Sequence, residues 1–493
     1  MNFVRSIAPA SAALAVAVTA GVAVALVPLA AAAVAIVVIT AVFAFAVARR
    51  ALQPAGHALG VDYESAAAED ARFQVARVAY YAGAATIGLL TLRPALEFTT
   101  SDLIFLASLG LAAVVVLTHG LALPFLVPRA IVIGVTLFAV GGLLSSVSAV
   151  DPSASVMVVA RVVYLTLVWF WLGTIVLQTR EHVRTALAAW VASAAASSAG
   201  AVLQFFAGDV IPGGTVHFGR MSGFTPQLNV LGGLAATAFV PSLMLAVDGH
   251  RRVARALGVV STGLLCAGLL LSGSVGGMLA AAVAATLWLV LRGVGPRVVL
   301  VLGALAVSAL LLMSASGTTD APSPVKRVLN VTSEEEARSG RGGTIYYRLE
   351  GFSDAWNRIE RQPLVGVGLD EASTLEVTTK AVHNILLGPW LAAGLLGAVG
   401  IVVLFIGSFA TGVRVLKHSP LAFRSATAAL LAAIVAFAQF ALGEPILYVR
   451  YGWFPVALLI ALHAQRRRAT SRPAGHVQSP GSRVLASSGR AAG

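Results

Sequence analysis

"HNILLGPWLAAGLLGAVGIVVLFIGSFA", residues 383–410, opens on two polar residues and then runs apolar almost without interruption. About 20 such residues in a helix cross a hydrocarbon core of about 30 Å. Runs of this kind recur along the chain, at roughly 7–26, 29–48, 78–92, 103–118, 130–148, 156–178, 185–206, 226–247, 256–272, 275–291, 298–314, 384–411, 425–442 and 449–465. The fold they predict is all-α, a polytopic transmembrane helical bundle of about 12 to 14 spans. One large loop, 315–383, interrupts it and is long enough to hold amphipathic helices.

Composition agrees. Of 493 residues, 58% are hydrophobic and 11% charged, where a soluble domain carries about 25% charged residues. The single cysteine, Cys266, rules out a disulfide within the chain. At the N-terminus the apolar stretch exceeds the roughly 7–15 residues of a signal peptide's core, so it reads as a retained first helix.

The net charge of +13 would point to nucleic acid in a soluble protein. Here the excess of cytoplasmic Lys and Arg in membrane proteins accounts for it, and no nucleic-acid partner is expected. With the N-terminus inside, the inner segments hold 22 of the 34 basic residues, and the short outer loops hold Arg93, Arg220 and Arg450. A segment as long as 315–383 crosses regardless of its charge, so it is expected outside. Both termini are then cytoplasmic. The tail 466–493, rich in Arg, Ser, Gly and Pro, reads as disordered and basic, touching anionic lipid through Arg466, Arg467 and Arg468.

Transporters place polar groups inside their spans, near the bilayer midplane. These spans carry almost none beyond Arg161, and the distinctive polar residues gather on the outer face. Three outer segments stand out. In 342–368, Ile345, Leu349, Phe352, Trp356 and Ile359 follow helical spacing, with Thr344 as N-cap and Pro363 as terminator. Arg348 falls on the edge of that stripe. Such a helix either lies on the membrane with Arg348 reaching a lipid phosphate, or lowers Arg348 over a site. In 207–225, Arg220 sits between glycines, with His217 nearby and Asn229 one turn into the next helix. It is either a headgroup contact or part of a site.

His383 and Asn384 stand at a helix start, where free N–H groups and the helix dipole favour anions. Asn384 suits an ordinary cap. A histidine titrates near neutral pH, so His383 is either structural or a proton carrier. Gly388, Gly394 and Gly397 are expected to allow close helix packing.

Taken together these segments resemble the O-antigen ligase and O-antigen polymerase superfamily. "HNILLGPWLAAGLLG" matches its pattern of His, then Asn, Ser or Gln, nine residues, Gly, two residues, Gly, at His383, Asn384, Gly394 and Gly397. "YYRLEGFSDAWNRIERQPLVGVG" looks like the family's arginine helix followed by PLxGxG. "GRMSGFTPQLN" resembles its GRxSGxxxxPN segment, with Gln227 where the proline–asparagine pair falls and Asn229 slightly displaced. The similarity covers about 205–445, which divides the chain into N-terminal helices (1–204), a ligase-like catalytic region (205–445, including loop 315–383), a last helix (446–465) and the tail.

The resemblance implies a multi-pass protein of the cytoplasmic (inner) membrane with an extracytoplasmic active site. It implies a metal-independent glycosyltransferase without cofactor, a polysaccharide ligase or polymerase. The glycan moves from undecaprenyl diphosphate to an acceptor hydroxyl on a glycan, lipid or protein. Arg220 and Arg348 would hold the diphosphate. Each contact, at about 4 Å and an effective dielectric of about 20, is on the order of 4 kcal/mol before desolvation. His383 would take the acceptor's proton, or else hold a phosphate as a cation; Asn384, Asn229 and His217 would bind substrate. Two other classes compete. A transporter or flippase of lipid-linked glycans would require a polar central cavity, and a membrane scaffold would leave the clustering of Arg220, Arg348 and His383 without a reason.

Overall fold

Eleven of the fourteen expected spans coincide with helices of the computed structural model, which describes residues 71–92, 98–118, 125–217, 219–249, 251–295, 297, 344–378, 381–444 and 447–471. Expected spans 7–26, 29–48 and 298–314 lie outside the described residues, as does most of the tail. The helices are α1 (Ala71–Thr86), α2 (Thr100–Thr118), α3 (Arg129–Ser146), α4 (Pro152–Val176), α5 (Arg180–Ala207), α6 (Leu228–Asp248), α7 (Arg252–Ser272) and α8 (Val275–Leu291). After them come α9 (Thr344–Arg361), α10 (Glu371–Val377), α11 (Leu387–Lys417), α12 (Leu421–Ala441) and α13 (Arg450–Ser471). Seven of these are long and apolar enough to cross a membrane. The chain is an all-α polytopic membrane protein.

Several boundaries shift by a few residues from expectation, and side-chain partners account for two of the shifts. α1 begins at Ala71, upstream of the expected 78, because hydropathy excludes Gln74 and Arg77 whereas the fold satisfies them. Arg77 is buried, donating to the Val176 carbonyl (3.2 Å) and to the Gln74 and Gln178 side chains. α13 continues through Arg466, Arg467 and Arg468, where a disordered tail was expected. Gln465 donates to the Leu177 carbonyl (2.7 Å) and Arg468 to the Thr174 carbonyl (2.8 Å), so helix α4's unpaired C-terminal carbonyls hold the segment.

The apolar centre is aromatic. Trp169, Trp190, Tyr80, Phe105 and Phe454 are fully buried, with Phe105 and Trp169 ring centroids 4.1 Å apart. α3 and α11 approach backbone to backbone. A Cβ on Gly134 would lie 2.7 Å from the Leu404 nitrogen, and one on Gly400 2.5 Å from the Phe138 nitrogen. Glycine on both helices permits that separation.

Successive spans alternate in direction, so the connections fall on two faces. On one, Asp248 pairs with Arg292 (2.9 Å) and accepts from Ser425, while Arg184 donates to the Ala422 carbonyl. Arg180, Arg251, Arg252, Arg255, Arg414, Lys417 and Arg424 belong to the helix ends of that face. On the other lie the 208–227, 273–274, 362–386 and 442–449 connections. These include an antiparallel hairpin, β1 (Val216–His217) with β2 (Arg220–Met221).

Candidate active site

α11 contains a break that organises everything above it. Gly394 has φ 69° and ψ −170° inside the helix, a left-handed conformation that glycine adopts without steric cost. In a continuous helix the Leu395 N–H would bond the Leu391 carbonyl. Here it donates to the Pro363 carbonyl (3.1 Å), and the freed Leu391 and Ala392 carbonyls accept from Val367 and Gly368 (3.0 Å each). The "PLVGVG" segment, 363–368, thus docks into the opened turn. A Cβ on Gly366 would lie 2.2 Å from the Ala392 carbonyl. Gly394 therefore serves a backbone exchange, where close helix packing was expected of it. Gly388, by contrast, is not tightly packed, since a Cβ there meets only the Val382 carbonyl at 3.6 Å.

This docking fixes α9. Among its described residues, the buried side chains Ala355 and Ile359 pack with Val382 and Leu391. Leu349 and Trp356, two members of the apolar stripe, are 54% and 45% exposed. The inward face is rotated from the apolar stripe, and Gly351 and Ala355 lie on it. Arg348 lies on this inward side, one turn before Phe352 and two before Ala355. Trp356 packs edge-on against Trp390, at 6.0 Å between centroids. Beyond the loop, Asp370 caps α10 through the Ser373 N–H (2.9 Å) and meets the Asp151 N–H. Asp151 itself caps α4, and the Ala154 N–H, followed by the Ser153 hydroxyl, holds its carboxyl below the usual range.

The polar groups converge on Glu444, in the linker between α12 and α13. Arg348 donates to Glu444 Oε1 at 2.6 Å, and Asn229 donates its side-chain N–H to the same oxygen at 2.7 Å. Asn229 Oδ1 in turn accepts from Arg220 (2.9 Å), whose Nε donates to the Ser272 carbonyl at the end of α7 (2.6 Å). His383 Nδ1 lies 3.4 Å from the other carboxylate oxygen, Oε2. It makes no hydrogen bond in this arrangement, so proximity has been achieved without alignment. Glu444 is 7% exposed, while the Arg348 and His383 side chains keep 27% and 24% of their surface accessible. Two arginines and an imidazole thus gather around one buried carboxylate.

Asn384 works as a cap and a tie. Its Oδ1 accepts from the Leu386 and Leu387 N–H groups (2.8 and 3.0 Å), and its Nδ2 donates to the Leu442 carbonyl (3.1 Å). With the Ile385 N–H on the Ala441 carbonyl (2.9 Å), it sets His383 beside the Glu444 linker. His217 is exposed on β1, directly across from Arg220 in the hairpin register.

Sequence reasoning passed over Glu444. Its signal was available: an acidic residue between Gly443 and Pro445, just beyond an apolar span, on the face that carries Arg220 and His383. Two charges that sequence reasoning did note find partners in the fold. Arg450, counted as an outer-loop arginine, opens α13 and grips the Asp102 carboxylate at the start of α2 with Nε (2.9 and 3.0 Å) and Nη2. Arg161 holds its guanidinium 5.5 Å from the Tyr448 ring centre, beside the same linker.

Residues 260–402 match a family model described as O-antigen ligase. The matched stretch contains Arg348, His383, Asn384, Gly394 and Gly397, and it leaves His217, Arg220, Asn229 and Glu444 outside. No curated protein matches the chain.

Proposed function

We propose that this membrane protein transfers a glycan from undecaprenyl diphosphate to an acceptor hydroxyl, a reading supported by the match of residues 260–402 to a family model described as O-antigen ligase. The observation that carries this reading is the convergence of Arg220, Asn229, Arg348 and His383 around Glu444 on one face of the bundle.

In the reaction the acceptor oxygen attacks the anomeric carbon, and the bond from that carbon to the diphosphate oxygen breaks. The electron pair leaves on the diphosphate, where negative charge grows. Arg348 and Arg220 supply forked donors for that charge, which is worth most where it strengthens as the bond breaks. His383 takes the acceptor's proton at Nε2. A single displacement inverts the anomeric centre. Asn229 carries the Arg220 charge to the network and His217 lines its approach. Asn384 holds the start of α11.

The face with fewer basic helix ends is the extracytoplasmic one, by the rule that Lys and Arg concentrate inside. The protein then sits in the cytoplasmic membrane with its C-terminal helix ending in the cytoplasm. The apolar, aromatic centre of the bundle favours transfer at the surface over passage through it.

The test is glycan transfer in a deletion strain complemented with the wild-type chain or His383→Ala at equal membrane abundance, with and without EDTA. The expected result is loss of surface glycan in the variant, with lipid-linked donor accumulating on the outer leaflet. Wild-type transfer unaffected by EDTA fits residue-based stabilisation of the leaving group. Normal surface glycan in the variant would overturn the assignment of His383, and donor retained on the inner leaflet would favour transport.

A further inference from the structure

Resting on that reading of the site, we infer that Glu444 is a positioning residue that binds the base and the diphosphate cation into one unit. Its two oxygens divide the work. Oε1 receives Arg348 at 2.6 Å and Asn229 at 2.7 Å, and Oε2 faces His383 Nδ1 at 3.4 Å. A carboxylate opposite Nδ1 selects the tautomer with its proton there, leaving Nε2 as the basic nitrogen that meets the acceptor. It also stabilises the imidazolium formed when Nε2 takes the acceptor's proton.

The linker gives Glu444 little freedom to do anything else. At its α12 end the Ala441 and Leu442 carbonyls are held by Ile385 and Asn384. At its α13 end Arg450 is fastened to Asp102, which is 1% exposed, and Trp453 Nε1 donates to the Leu447 carbonyl (3.0 Å). Arg450 is thereby occupied by its own carboxylate. The charged groups that face Glu444 are Arg348 and His383 directly, and Arg220 through Asn229. A carboxylate this buried requires charged or hydrogen-bonding partners. When diphosphate oxygens draw on the Arg348 donors, His383 is the partner already within reach. A small side-chain rotation then closes 3.4 Å to a hydrogen bond, so donor binding and alignment of the base are coupled through one residue.

The experiment uses the purified full-length chain in lipid vesicles, with polyprenyl-diphosphate-linked glycan extracted from the deletion strain as donor. Transfer is measured for wild type, Glu444→Gln, His383→Ala and the double variant. Glu444→Gln retains an acceptor for Arg348 and loses the anionic partner of His383. The expected result is a fall in kcat of about 100-fold, within the usual range for a general base, with donor KM little changed. In the His383→Ala background the same substitution is expected to cost almost nothing further, because residues acting as a unit are not additive.

A loss confined to donor KM would overturn the inference, leaving Glu444 as a partner of Arg348 alone. So would an equal loss in the His383→Ala background. Full activity of His383→Ala by itself would instead remove the reading of His383 as base, and the inference with it. If Glu444→Gln fails to accumulate, Glu444→Asp carries the same comparison. It keeps the charge and withdraws it by one methylene, and is expected to lower kcat less than Glu444→Gln while remaining non-additive with His383→Ala.

Discussion

Asn229 and Glu444, 215 positions apart in the chain, share a 2.7 Å hydrogen bond that joins the hairpin arginine to the histidine side of the site. Asn229 Oδ1 accepts from Arg220 while its N–H group donates to Glu444, so one amide spends both of its ends on the network. Asn229→Ala should lower transfer about tenfold, equivalent to roughly 1.4 kcal/mol, by leaving two charged groups short of a partner. Asn229→Asp should fall further, since it sets a second carboxylate against a buried one. Initial rates with extracted lipid-linked donor decide between them, and equal activity of Asn229→Asp and wild type would remove the bridge.

Arg348→Lys should raise donor KM and lower transfer well below wild type even though the charge is kept. Lysine cannot present the planar fork that a diphosphate and Glu444 can share. In cells the expected sign is lipid-linked glycan accumulating on the outer leaflet. A lysine variant with wild-type kinetics would show that charge alone suffices at this position.

Gly394→Ala and Gly366→Ala should each destabilise the fold. The first forces a side chain into φ 69°, and the second drives a Cβ into the Ala392 carbonyl at 2.2 Å. Left-handed strain of this kind costs on the order of 1–3 kcal/mol. Gly388→Ala is the control, with 3.6 Å to its nearest neighbour, and should behave as wild type. Thermal unfolding of the detergent-solubilised protein, followed by tryptophan fluorescence, orders the three.

Asp102→Asn and Arg450→Met should each reduce the amount of folded protein in the membrane. Removing one partner of a buried ion pair costs about 3–5 kcal/mol, because it strands the other charge. The double variant Asp102→Leu with Arg450→Met should recover most of that loss. Equal abundance of all variants would mean that the pair contributes nothing to holding the Glu444 linker.

Much of the fold was legible because crossing a membrane is a local requirement. A run such as 384–411 must satisfy its backbone within itself, so summed hydropathy locates it without knowledge of any neighbour. The site was legible where chemistry left local marks. His383–Asn384 stand at a helix start, Arg348 stands in a helix with periodic apolar residues, and glycine occupies the positions where backbones exchange hydrogen bonds.

The tertiary structure decided what depends on partners distant in sequence. α9 turns a face inward that differs from its most apolar stripe, because Val382 and Leu391 define what it can rest upon. Arg77 and Asp102 enter helices ahead of the spans that hydropathy marks, and Arg450 opens α13, each with a partner from elsewhere in the chain. Gly394 breaks α11 only because the 363–368 segment supplies replacement bonds. Glu444 is one acidic residue among 21 Asp and Glu in the sequence; the folded bundle makes it the meeting point of Arg348, Asn229 and His383. Hydropathy and helix spacing are sums over neighbouring residues, whereas a buried charge is settled by whichever opposite charge the packing brings within about 4 Å.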